Sequence, residues 1–151
     1  MSAPEAAPTG TTRIALAVEY DGSAFSGWQK QSAPELPTVQ SALEAALTSV
    51  ADHPVSTTCA GRTDAGVHAS CQVVHFDCRI DRGTKAWTQG VNSSLPGSVR
   101  VLWARAVSDE FHARFSATGR RYRYVLFQRA VPSAILHRKV TPTRQPLDLN
   151  A

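Results

Sequence analysis

A chain of 151 residues suits one domain with a proper core, and 42% hydrophobic against 19% charged residues excludes a disordered polymer. The net charge of +4 is modest, but its distribution is one-sided: from Phe111 to Leu147 stand eight basic residues (Arg114, Arg120, Arg121, Arg123, Arg129, Arg138, Lys139 and Arg144) and no acid. Such a segment favours a polyanion such as nucleic acid, whose counterions are released when phosphates are neutralised, the plain alternative being a solvated basic face.

Residues 1–12 are rich in Ala and Pro and lack the basic and apolar regions of a secretory signal, so they read as a loose tail. From residue 13 to 20 the chain alternates, with Ile14, Leu16, Val18 and Tyr20 on one face, which predicts a half-buried strand. Asp21-Gly22-Ser23 closes it with turn residues. After a stretch holding Phe25, Trp28, Gln29 and Gln31, Pro34 and Pro37 mark a loop, and Thr38 is placed to cap a helix reaching about Asp52. Val39, Leu43, Ala46, Leu47 and Val50 recur at helical spacing as its buried stripe. Strands are predicted at 55–60 and 70–78, and a helix at 84–93 presents Trp87 and Val91, with Leu95 beyond. Residues 98–107 alternate again, with Val99, Val101, Trp103 and Val107 on one side. The order β-α-β-β-α-β is that of an α+β, ferredoxin-like fold. Residues 120–128 add a strand, with Tyr122, Tyr124 and Leu126 on one face and Arg121, Arg123, Val125 and Phe127 on the other. Residues 130–151 carry three prolines and little periodicity, and read as a connector.

No apolar run approaches the roughly 18 residues that cross a bilayer, which predicts a soluble, cytoplasmic protein. Cys59, Cys71 and Cys78 lack C-x-x-C spacing and the five histidines lack ligand spacing, so buried thiols are expected rather than a disulfide framework or a metal site. Cys71 and Cys78, seven apart, would face opposite sides of one strand.

The chemistry concentrates in Ala60-Gly61-Arg62-Thr63-Asp64-Ala65-Gly66-Val67-His68, a loop between two predicted strands. Its bland reading is an Asp-containing turn with a solvated arginine. An ionised carboxylate beside an arginine suits a nucleophile or base better than an acid, because the cation stabilises the charged form. An ordinary glycosidase needs a second carboxyl at a defined separation, and nothing places Glu19, Asp21 or Asp77 opposite Asp64. A zinc deaminase needs Pro-Cys-x-x-Cys, which is absent. Tyr122 and Tyr124 beside a row of arginines match the way proteins hold unstacked bases, though core tyrosines with surface arginines would look the same.

The loop closely resembles the catalytic loop of the tRNA pseudouridine synthase A family. The likeness extends to Tyr20-Asp21-Gly22 with Gly27-Trp28-Gln29-Lys30-Gln31, Thr38-Val39-Gln40 with Leu43-Glu44, and Gln72-Val73-Val74-His75-Phe76. It continues through Phe111-His112-Ala113-Arg114-Phe115-Ser116-Ala117 and Arg121-Tyr122-Arg123-Tyr124. It implies an enzyme that isomerises uridine to pseudouridine at positions 38, 39 and 40 of the tRNA anticodon stem-loop, as a homodimer and with no metal or organic cofactor. Asp64 falls on the nucleophile, which attacks either ribose C1′ or the uracil ring. Tyr122 falls on the tyrosine that stacks on the flipped base and is held to help remove the C5 proton. Arg62 falls on the arginine associated with base flipping or with holding the RNA strand. His68, Arg114, Arg121 and Arg123 fall in the same blocks and are expected to bind substrate.

Family members carry a second α/β half, which supplies the cation that pairs with the nucleophile and the apolar wall of the base pocket. The expected organisation is therefore a tail (1–12), an N-terminal α/β subdomain (13–129), and a connector (130–151) to a missing half. Two readings follow: a truncated synthase carrying the nucleophile and half a cleft, or a non-catalytic RNA-binding module of the same descent.

Overall fold

The computed structural model describes residues 7–148; the first half of the predicted tail and the end of the connector lie outside them. The chain divides into two compact units, Met1–Thr118 and Gly119–Ala151.

The first unit is an antiparallel sheet in the order β2-β3-β1-β4, formed by β1 (Thr12–Tyr20), β2 (Thr58–Cys59), β3 (Ala69–Cys78) and β4 (Val99–Val107). With the helical segments between β1 and β2 and between β3 and β4, this is the ferredoxin-like arrangement. Alternation along β1 puts Ile14, Leu16, Val18 and Tyr20 into the core, where they meet Val74, Phe76 and Cys78 of β3. Helix α1 (Val39–Ala51) adds Val39, Leu43, Ala46 and Leu47, all buried, with Val50 half-buried against them. Its start is fixed as predicted: Thr38 Oγ1 accepts from the Ser41 N–H at 3.2 Å, and Ser41 Oγ lies 3.3 Å from the Thr38 N–H in return. Cys71 is exposed and Cys78 buried, the opposite faces that an odd spacing demands.

Four elements differ from expectation. The strand predicted at 55–60 shrinks to Thr58–Cys59, because α1 side chains claim the preceding backbone donors: Val55 N–H goes to Thr48 Oγ1 and Thr57 N–H to Glu44 Oε1. The second helix contains a π-helical turn, Ala86–Gly90, before α2 (Val91–Ser94). That wider turn lies between two anchors, Trp87 Nε1–H donating to Asp81 and the Asn92 amide bonded to both backbone groups of Val101. In β4, a bulge at Leu102 sets Val101 opposite Val18 but Trp103 opposite Ala17, so Trp103 leaves the face of Val99 and Val101. Lastly, the strand predicted at 120–128 pairs only as β5 (Leu126–Gln128), in parallel with β6 (Thr141–Thr143), which lies within the segment read as a connector. Tyr122 and Tyr124, at 73% and 80% exposure, precede that ladder and are not core residues.

The sheet face away from α1 is covered in part by residues 109–116. Arg13, buried in β1, forms a bidentate pair with Asp77 at 2.8 and 2.9 Å and donates to the carbonyls of Asp109 and Phe111. Buried His75 accepts the Ala113 N–H on Nδ1 at 3.1 Å. Its pKa is lowered to about 4, first by desolvation and then by Arg13 and His112, so the ring is neutral and its proton sits on Nε2.

Candidate active site

The loop between β2 and β3 leaves the sheet at Ala60, whose N–H still bonds to the Val73 carbonyl. Gln72, buried in β3, then clamps Gly61 from both sides: its Oε1 takes the Gly61 N–H and its Nε2 donates to the Gly61 carbonyl. This is the geometry of a strand pair made by a side chain, and it sets the direction in which Arg62 leaves.

The far side of the loop rests on the segment after β1. Trp28, buried, donates its backbone N–H to the Thr63 carbonyl at 2.9 Å, and the Tyr20 and Thr63 hydroxyls lie 2.8 Å apart. Gly27, at φ +98°, passes so close that a Cβ there would stand 2.9 Å from the Thr63 oxygen and 3.3 Å from the Asp64 carbonyl carbon. Gly22 is tighter still, since its Cβ would meet the Val67 oxygen at 2.0 Å. Gly66 supplies the left-handed backbone of the turn (φ +80°), in which the Val67 N–H returns to the Asp64 carbonyl. The loop backbone is thereby gripped at Gly61, Thr63, Gly66 and Val67, while the Asp64 side chain projects from it.

Asp64 and Arg62 are both exposed. Among the described residues no cation lies within ion-pairing distance of Asp64, so Arg62 does not serve as its partner. Arg62 and Arg114 instead both act on the Cys59 thiol, whose pKa burial nevertheless raises. His68 turns towards the post-β1 segment: its Nδ1 accepts the Gly22 N–H at 3.1 Å and stands 3.1 Å from Asp21 Oδ1. Arg114 is exposed at the end of the 109–116 segment. Tyr122, Arg121 and Arg123 are exposed in the second unit. The first unit thus brings together Asp64, Arg62 and His68 on one loop.

Tyr20, Gly22, Gly27 and Gln72 carry no chemistry of their own: the sequence marked them only as members of the resembling blocks, and their role as supports of this loop comes from contacts across the fold. A cavity of about 280 Å³ in the same unit is lined by Arg13, Ser56, Thr58, His75, Asp77 and His112 and includes neither Asp64 nor Arg62. Among the described residues no group of three or more His, Cys, Asp or Glu is placed to hold a metal ion, and no helix is long and apolar enough to cross a membrane.

Comparison with known proteins assigns this antiparallel α+β sheet to a family. The family model described as tRNA pseudouridine synthase matches residues 16–116, from β1 through the loop to the segment beyond β4. The chain belongs to the tRNA pseudouridine synthase family. The tRNA pseudouridine synthase A of Pseudomonas aeruginosa is 52% identical over 148 residues, covering 98% of this chain and 52% of that protein. That of Alcanivorax borkumensis is 55% identical over 140 residues, 93% of this chain and 52% of its own length. The Escherichia coli O1:K1 protein of the same name is 53% identical over 136 residues. The chain therefore spans about half the length of the curated relatives it matches.

Proposed function

We propose that this chain supplies the nucleophile-bearing half of a tRNA pseudouridine synthase, acting on uridines 38, 39 and 40 of the anticodon stem-loop. The observation that carries the reading is Asp64: a carboxylate exposed on a loop whose backbone is held from both sides and which has no cation of its own among the described residues. The target base must leave its stack before a side chain can reach its glycosidic bond, at a cost of a few kcal/mol. Asp64 attacks at C1′ or at the uracil ring; the N1–C1′ bond breaks, the base turns, a C5–C1′ bond forms, and the bond to Asp64 is broken so that its carboxylate is restored. The C5 proton is lost and N1 gains one, so the reaction is an isomerisation that needs no oxidant. Tyr122 stacks on the flipped base and assists removal of the C5 proton. Arg62 flips the base or holds the strand, and His68, Arg114, Arg121 and Arg123 contact the RNA. The same reading takes residues 13–129 as the N-terminal subdomain and 130–151 as the link to a second half, in a cytoplasmic homodimer.

Without the second half the site is unwalled and Asp64 lacks a cation, which weakens electrostatic stabilisation and admits water. The test is tritium release from C5-labelled uridine in tRNA, by the 151-residue chain alone and joined to the C-terminal half of the Pseudomonas aeruginosa relative. The isolated chain turns over far more slowly than the chimera. In the chimera Asp64→Asn abolishes release and leaves tRNA binding intact; persistent turnover would remove Asp64 from the nucleophile's role. A chimera that binds tRNA without releasing tritium would favour the non-catalytic RNA-binding module instead.

A further inference from the structure

The segment after β4 carries an aromatic that the loop chemistry does not use. Phe115 keeps 53% of its surface exposed although it sits in a hydrogen-bonded turn. Its ring stacks on His112 at a centroid distance of 4.3 Å and an interplanar angle of 28°, and the Arg114 guanidinium lies 5.8 Å from its centroid. The turn is built to hold that ring. His112 Nδ1 faces the backbone N–H groups of both Arg114 and Phe115 at 3.2 Å, and the Ser116 N–H returns to the His112 carbonyl at 2.7 Å. Behind it, buried Arg13 grips the Phe111 carbonyl and buried His75 takes the Ala113 N–H, tying the turn to the sheet.

An isolated exposed phenylalanine is ordinary. One held against a stacked imidazole and an arginine of its own turn, and still half exposed, presents a fixed aromatic surface to solvent. We propose that Phe115, backed by His112 and flanked by Arg114, is a stacking platform for an unpaired base of the RNA strand, with Arg114 meeting the phosphate of that strand. The proposal rests on the RNA-substrate reading above and assigns it a second contact, distinct from the base that Asp64 attacks. Every base offers a π-face, so the platform is sequence-tolerant, and the Arg114 guanidinium beside the ring selects a phosphate-bearing strand over an apolar protein face.

The test measures binding of a fluorescein-labelled anticodon stem-loop RNA to the 151-residue chain across a salt series. Phe115→Leu weakens binding about tenfold with an unchanged salt slope, as loss of one stacked base requires. Arg114→Gln instead lowers the slope by about one, as loss of one phosphate contact requires. Phe115→Trp retains affinity, and its added tryptophan emission is quenched on RNA binding; this variant decides the matter if Phe115→Leu fails to fold. Unchanged affinity in folded Phe115→Leu, or Phe115→Trp emission that RNA binding does not move, overturns the platform and assigns the ring to a protein contact. Failure of the parent chain to bind the RNA at all would instead overturn the RNA reading on which the platform stands.

Discussion

At the scale of single residues, close approach decides more here than charge. Gly22 has no room for a methyl group against the Val67 carbonyl, so Gly22→Ala must push the 63–68 turn off the post-β1 segment. We expect destabilisation by about 2 kcal/mol or more in urea unfolding, with a parallel fall in turnover of the chimera. His75 makes a different prediction, in which the sign follows from its depressed pKa of about 4. Below pH 6.5 the unfolded chain binds a proton that the native ring refuses, so stability from this group is complete above that pH and falls until about pH 4. The loss amounts to about 3 kcal/mol, and His75→Gln should flatten the dependence of urea midpoints on pH between those limits.

At the scale of elements, the short β2 shows a helix outbidding a strand for backbone donors. Glu44 of α1 is buried, and its Oε1 receives the Thr57 N–H at 2.8 Å, the Thr57 hydroxyl at 3.1 Å and the Gln40 amide at 2.9 Å. The Lys30 ammonium at 3.8 Å is largely exposed and adds little. Replacing Glu44 with Leu leaves three buried donors without an acceptor, and should cost about 3 kcal/mol or more in urea unfolding. Glu44→Gln retains a carbonyl oxygen for the Thr57 N–H and should cost markedly less. Equal losses in the two variants would show that shape, not acceptance, matters at this position.

At the scale of the whole molecule, every residue of the hydrophobic core belongs to the first unit. The second unit rests on a parallel pair of three-residue strands and shows Tyr122, Tyr124, Val131 and Ile135 to solvent. So small a ladder adds little stability. A chain ending at Thr118 should therefore melt cooperatively within about 4 °C of the parent, the shift that 1 kcal/mol produces in a domain of this size. Amides of Leu126–Gln128 should exchange with deuterium well before those of β1. A melting temperature that collapses on removal of the second unit would show that the core needs it.

Much of this was legible along the chain, because it is local. Alternation named the core face of β1, helical spacing named the stripe of α1, Thr38 announced its cap, and the order of elements matched the sheet that forms. The residues of the Asp64 loop were also visible, since an Asp and an Arg between glycines stand out wherever they fold. What alternation cannot register is a side chain that replaces a strand partner or a bulge that turns the pattern over: Glu44 and Thr48 delayed the start of β2, and Leu102 sent Trp103 to the other face. Nor does an aromatic-basic run reveal whether a ladder will form, as Tyr122 and Tyr124 demonstrate. Sequence alone determined which groups are available and which fold carries them, since both depend on neighbours a few positions apart. The tertiary structure decided that Asp64 stands without a cation in this half, that Gly22 and Gly27 hold its loop, and that His68 turns to Asp21. Those are contacts between residues dozens of positions apart, and only the closed sheet brings them within reach.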